Sequence, residues 1–196
     1  MRCFIAIDMS EDIKESISDV IERCSLKSKG IKWVSAENIH LTLKFLGDVK
    51  EDLIPEIEKR LALICMGHNI FNINIRDAGA FPNFKYPNVL WVGMDESEDL
   101  KRLYEDIEES MSELGFEKEN RRFSPHLTIG RVKDRKGIEP VIKELYTFKD
   151  AFFGSIEVKE VLLMRSILKP TGAEYSKIAD FKLSLKGVNY KREEIG

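Results

Sequence analysis

Of the three histidines in this chain, two open the same four-residue pattern, His40-Leu41-Thr42-Leu43 and His126-Leu127-Thr128-Ile129. Each copy alternates polar and apolar residues, the period of a half-buried β-strand. In a strand, residues two apart share a face. His40 and Thr42 therefore point one way and the leucines the other, and the second copy repeats the arrangement. An imidazole titrates near pH ~6.5 and can give or take a proton at neutral pH. A hydroxyl beside it can donate a hydrogen bond to an anionic oxygen. A lone histidine on a strand is ordinarily solvated or structural, and the repetition is what argues for acid–base work at a shared site.

The elements that would position these residues follow from the patterning. Residues 3–7 form an apolar run fit for a buried strand, and Asp8 and Ser10 offer caps for a helix from about residue 11. Its apolar stripe is Ile13, Ile17, Val20, Ile21 and Cys24, and Ser28-Lys29-Gly30 ends it. A short strand at 31–34 and a turn feed the first motif strand, near 39–46, which Gly47-Asp48 closes. A second helix spans 51–66, and strands follow at 71–75, where Phe81-Pro82-Asn83 breaks the pattern, and at 89–94. A third, acidic helix covers 98–114 and stops at Gly115. The second motif strand lies near 125–132, within an extended stretch from 123. A helix at 140–146 then precedes two long strands, 154–167 and 174–185, with a turn at 169–172 and a charged tail after Gly187. Strands and helices mix with hairpin connections, which predicts an α+β fold with antiparallel sheets. The motifs lie about half a chain apart. That spacing predicts an internally duplicated, two-lobed architecture with helices outside, each lobe bringing one His-x-Thr strand to a central cleft around a pseudo-twofold axis.

Composition sets limits on partners. The chain has 196 residues, 43% of them hydrophobic and 33% charged, with a formal net charge of −3. That size suits one domain or two small lobes sharing a core, and 1–196 is read as a single bilobal domain. An acidic balance argues against a general polyanion binder, so any nucleic acid should be recognised locally, at an end. Cys3, Cys24 and Cys65 are odd in number without a CxxC spacing, which fits a reducing interior. No run approaches a membrane span or a signal peptide. The expectation is a soluble, cytoplasmic monomer without membrane partners. The scattered thiols and the lack of acidic residues at ligand spacing around the histidines suggest no metal and no cofactor. His68 reads as a polar surface residue.

Beyond these readings, the chain resembles a known family. Met1-Arg2-Cys3-Phe4-Ile5-Ala6-Ile7-Asp8, Trp33-Val34, Asn38 to Gly47 around the first motif, Phe81-Pro82-Asn83, Val89-Leu90-Trp91 and Phe123 to Arg131 around the second are similar to the two-histidine (2H) phosphoesterases. Within them the likeness is to the LigT-like branch of RNA 2′,3′-cyclic phosphodiesterases, and it covers nearly the whole length. The resemblance implies the same bilobal fold and metal-free hydrolysis of an RNA 2′,3′-cyclic phosphate end, tRNA among the candidate substrates. It makes His40 the proton donor and His126 the proton acceptor, giving a 2′-phosphomonoester. It also allows the reverse reaction, 2′,5′ ligation of RNA or tRNA halves.

Opening a cyclic phosphate in line needs a base and an acid on opposite sides of the phosphorus, which two histidines from opposite lobes can supply. Thr42 and Thr128 would then hold the non-bridging oxygens. Lys44 falls four residues beyond His40, on the same face under strict alternation, and is expected to bind phosphate. Arg131, five beyond His126, is turned away by strict alternation. The resemblance favours a structural or phosphate role for it, and contact would require a bulge. Phe45, Phe81, Tyr86 and Trp33 read as core aromatics rather than stacking platforms. Asn88 stands where relatives often carry a basic residue, which weakens the expectation of RNA contacts on that rim. Ser166, Lys169 and Tyr175 match the family pattern without a derivable role. A non-catalytic RNA-end binding module is the rival of a different class. No glycine-rich nucleotide loop suggests ATP dependence.

Overall fold

The computed structural model describes residues 1–169 and 172–185. In chain order its elements are β1 (Arg2–Asp8), α1 (Glu11–Ser25), β2 (Ile31–Trp33), β3 (His40–Asp48), α2 (Ile54–Met66), β4 (Phe71–Phe81) and β5 (Val89–Met94). They continue with α3 (Glu98–Glu113), β6 (Leu127–Val132), α4 (Glu139–Tyr146), β7 (Phe152–Val158), β8 (Glu160–Lys169) and β9 (Gly172–Lys182). The strands pair antiparallel in the order β7-β4-β5-β6-β3-β1-β8-β9, with β2 on the free part of β6. The two motif strands sit side by side at the centre and share one rung, Leu41 opposite Leu127. To one side lie β1, β8 and β9, to the other β5, β4 and β7, so the sheet is two halves meeting at that rung, of four strands and, with β2, of five. The α+β, internally duplicated architecture expected from the spacing is present, with the two sheets joined at their centre.

The repeat is β-α-β-α in each case: β1-α1-β3-α2 matches β5-α3-β6-α4. The first helix of each repeat crosses to the other half. Helices α2 and α3 pack together behind the His40 half, whereas α1 and α4 cover the His126 half. Each helix buries one stripe, in α1 Ile13, Ile17, Val20 and Cys24, and in α3 Leu100, Leu103, Ile107 and Met111. These meet Leu41, Leu43, Leu127 and Ile129 in a continuous apolar core behind the sheet. Ser97 caps α3, its hydroxyl accepting from the Leu100 N–H at 3.2 Å. The expected cap of α1 is different: Ser10 makes no side-chain cap bond, and Asp8 instead accepts from its neighbour Met9 and pairs with Lys14.

Two strand readings change. The stretch expected as one strand over 154–167 is two: β7 pairs with β4 on the outer edge of one half, and β8 with β1 inside the other. The backbone stays extended through Lys159 while its partner changes, and alternation reports extension only. Strand β4 continues to Phe81, past a bulge at Asp77, whose φ of 65° is one an aspartate tolerates. Residues 170–171 of the expected turn and the tail after Gly187 lie outside the described residues.

Candidate active site

Each histidine stands one residue before the shared rung. On an ideal antiparallel ladder that offset separates them by ~7 Å along the strands and ~5 Å across. Leu41 and Leu127 point into the core, at 1% and 0% exposure, so both imidazoles are carried on the opposite face of the sheet, the cleft side. Both rings are anchored identically. His40 Nδ1 lies 2.7 Å from the Asn38 carbonyl and His126 Nδ1 2.8 Å from that of Ser124. A carbonyl only accepts, so each Nδ1 carries the proton and donates, leaving Nε2 turned to the cleft. The Thr42 hydroxyl, 3.0 Å away, donates to His40 Nε2. Burial is the main cause lowering both imidazole pKa values below the ordinary one, and the bonds to Asn38 and Ser124 oppose it. The flanking charges differ: Asp8 pulls His40 up, opposed by the smaller effect of Lys14, whereas Arg131 pushes His126 further down.

A bulge recurs at the same place in both motif strands. Strand β1 pairs Ile5 with Lys44 and Ala6 with Thr42, skipping Leu43. Strand β5 pairs Leu90 with Gly130 and Trp91 with Thr128, skipping Ile129. Past each bulge the faces exchange. Lys44 therefore turns away from the cleft, and the expectation that it binds phosphate is overturned. Its ammonium is 2.8 Å from both oxygens of Glu108 on α3 and donates to the Glu117 carbonyl at 2.9 Å. The same carboxylate accepts from the Glu119 N–H. Arg131 moves the opposite way, onto the face of His126, through the bulge that contact required. In the second strand the position of Lys44 belongs to Gly130, where a Cβ would come within 2.9–3.2 Å of Ile31 and the Trp33 ring.

The bulge also places Phe45 on the cleft side at 69% exposure, so it is no core residue. Phe4 lies 4.9 Å from the His40 ring and 6.2 Å from Phe45, and Tyr175 presents its edge to His40 at 5.2 Å. Around them is a depression of about 180 Å³ reaching Ala6, Asp8 and Asn38. In the other half Phe81 meets His126 edge-on at 4.9 Å, and Trp91 lies across Gly79, which leaves no room for a side chain there. Trp33 is half-buried against Gly130, and Tyr86 is 55% exposed in the loop before β5. Ser166 pairs across the sheet with Tyr175, and Lys169 is held by Glu174 at 2.6 Å. His68 is occupied outside the cleft, 2.8 Å from Asp106. Sequence reasoning gave Tyr175 no role and misplaced Phe45 and Tyr86. For Phe45 no signal was available, because an apolar residue there continues the alternation of Leu41 and Leu43 and hides the bulge.

Comparison with known proteins agrees with this geometry. The family model described as the 2′-5′ RNA ligase superfamily matches residues 13–169. The chain belongs to the 2′-5′ RNA ligase superfamily. Among its relatives, a protein of Methanocaldococcus jannaschii named RNA 2′,3′-cyclic phosphodiesterase is 39% identical, over 92% of this chain and 100% of that one. One of the same name from Archaeoglobus fulgidus is 38% identical over 93% and 100%. Among solved structures, TT0787 of Thermus thermophilus superposes with a TM-score of 0.82 at 26% identity, covering 95% of this chain and all of that one. Escherichia coli LigT complexed with 3′-AMP gives 0.71 at 26% identity, over 93% and 98%. Among the described residues, no helix of this superfamily member is long and apolar enough to cross a membrane.

Proposed function

We propose that this protein hydrolyses 2′,3′-cyclic phosphate ends of RNA to 2′-phosphomonoesters with His40 and His126. The observation that carries the reading is the pair of Nε2-presenting imidazoles, identically anchored, on either side of the Leu41–Leu127 rung. The relatives named RNA 2′,3′-cyclic phosphodiesterase support it at 38–39% identity. His126 Nε2 takes a proton from water as its oxygen bonds to phosphorus. The bond from phosphorus to O3′ breaks, and His40, protonated at Nε2, gives its proton to that oxygen. The local charges support this assignment, since Asp8 favours the cationic acid and Arg131 the neutral base.

When His40 is protonated, its Nε2–H donates to Thr42, whose hydroxyl is then free to donate to a non-bridging oxygen. Thr128 does the same from the other side, and Arg131 offsets the phosphate charge. Every proton transfer in this sequence is assigned to a side chain, so activity in a chelator is expected. The experiment is incubation in EDTA with an oligonucleotide ending in a 2′,3′-cyclic phosphate, followed by identification of the isomer formed. A 2′-phosphate is the expected product. A 3′-phosphate would reverse the leaving oxygen, and tight binding without product would leave an RNA-end binding module.

The superfamily's description favours one second reading, 2′,5′ ligation, with a 5′-hydroxyl replacing water at His126. Hydrolysis dominates in water unless two ends are held together.

A further inference from the structure

We propose that Lys32, Arg131 and Arg135, with Tyr86, form a track that carries the single-stranded RNA leading up to the reactive end. The inference rests on the RNA reading above and adds where the rest of the chain runs. Lys32 lies directly opposite Arg131 on the β2–β6 ladder, and Arg131 directly opposite Val89 on β5. Opposed residues share a face, so both cations stand on the His126 side of the cleft. Like charges placed opposite each other destabilise a sheet, and an anion lying across them would remove that penalty.

Both are exposed, and neither has a carboxylate partner within salt-bridge distance among the described residues. Arg60, Lys118 and Lys182 are by contrast each engaged by a carboxylate, of Glu113, Glu109 and Glu160. The strip continues past the strand ends. Arg135 donates to the side chain of Asn88, the residue before Val89, and the loop holding it is tied to β2 where Lys133 and Asp134 N–H groups reach the Gly30 carbonyl. Asp134 is the acid within this loop, and it accepts from the Lys136 N–H. Asn83 folds the facing loop by accepting from Lys85 and Tyr86, which leaves the Tyr86 ring exposed with the Lys85 ammonium 5.3 Å from its centre.

Unpaired cations interleaved with an exposed aromatic, leading away from a phosphate site, are the means by which proteins follow a single strand without reading its sequence. On the opposite side of the cleft, the carboxylates of Asp8 and Glu37 line the depression beside His40. An RNA chain attached to a phosphate at the histidines is therefore drawn toward β2 and β6. Arg135 donating to Asn88 puts a cation back at the position whose asparagine had weakened the expectation of RNA contacts on that rim.

The test compares wild type with Lys32→Glu/Arg135→Glu and with Tyr86→Ala on two substrates, a cyclic-phosphate-ended decanucleotide and 2′,3′-cyclic AMP. Binding of a fluorescent decanucleotide ending in a 3′-phosphate is followed against salt in parallel. The double variant should raise KM for the decanucleotide roughly ten-fold or more, flatten the salt dependence of binding, and leave the mononucleotide untouched. Tyr86→Ala should show a smaller loss of the same pattern. Unchanged decanucleotide kinetics and binding would overturn the track, as would equal loss on both substrates or equal loss of binding to a duplex DNA. The binding arm reads the track even if the wild type hydrolyses neither substrate, an outcome that would instead remove the catalytic reading.

Discussion

The two halves of the sheet carry the same motif, anchor their imidazoles through the same kind of bond and bulge at the same residue, yet they differ in everything around it. The His40 half surrounds its imidazole with Phe4, Tyr175 and Asp8, and past its bulge stands an exposed phenylalanine, Phe45. The His126 half packs Phe81 and Trp91 there, and at the matching position past its bulge stands Arg131. On the proposed mechanism the backbone repeats so that both strands deliver Nε2 to one gap, and the surroundings diverge because an acid and a base need opposite electrostatic company. A symmetric fold would thus support an asymmetric reaction.

The strongest challenge to that comparison is to remove either imidazole. His40→Ala and His126→Ala should each lower kcat by ~10²–10⁴-fold, and the double variant should be little worse than the weaker single, since the two act as a unit. Near-normal turnover by one of them would break the equivalence of the halves. Next is Lys44→Met, which leaves Glu108 without its cation. With Lys44 3% exposed and Glu108 11%, breaking the pair should cost about 3–5 kcal/mol in urea unfolding. Lys44→Met/Glu108→Leu should recover most of it, and full stability of the single variant would restore Lys44 to the cleft.

Substitutions past the bulges sharpen the contrast further. Arg131→Ala takes away the charged hydrogen bond to phosphate proposed for it, of a kind worth about 1.5–3 kcal/mol, and should lower kcat/KM on every cyclic phosphate by that amount. Phe45→Ala should raise KM by at most about that much, through lost stacking with a base, and leave kcat near wild type. Equal kcat effects of the two would make these matching positions equivalent.

The subtlest test is pH. Both imidazoles titrate below the ordinary value of ~6.5 in the free protein. The base must be neutral and the acid protonated, so kcat/KM should trace a bell centred below pH ~6.5. The kcat profile should shift upward, because bound phosphate raises His40. A kcat/KM bell centred near pH 8 would contradict the burial of the two rings.

Much of this was legible in the chain. The helices, the motif strands and the duplication follow from periodicity and spacing, because an apolar stripe or an alternation is local. What escaped is pairing. Nothing in residues 154–167 announces that the strand changes partner at Lys159, since the extended backbone continues unbroken. Strict alternation placed Lys44 in the cleft and Arg131 outside it, and one skipped residue in each strand inverted both. Buried charge misled as well, for Lys44 is satisfied by Glu108 on a helix sixty-odd positions away, a partner no local pattern names.

The crossing of α1 and α3 to opposite halves bears on how such a molecule can be cut. A fragment ending before β4 would keep β1, β3 and α2 but lose α3, which packs on β3, while α1 would lose β7, the strand it chiefly covers. Neither piece is a self-sufficient ancestor of the whole. A duplication of this kind is expected to melt in one transition, and severed portions should regain shape only when mixed, each supplying the other's roof.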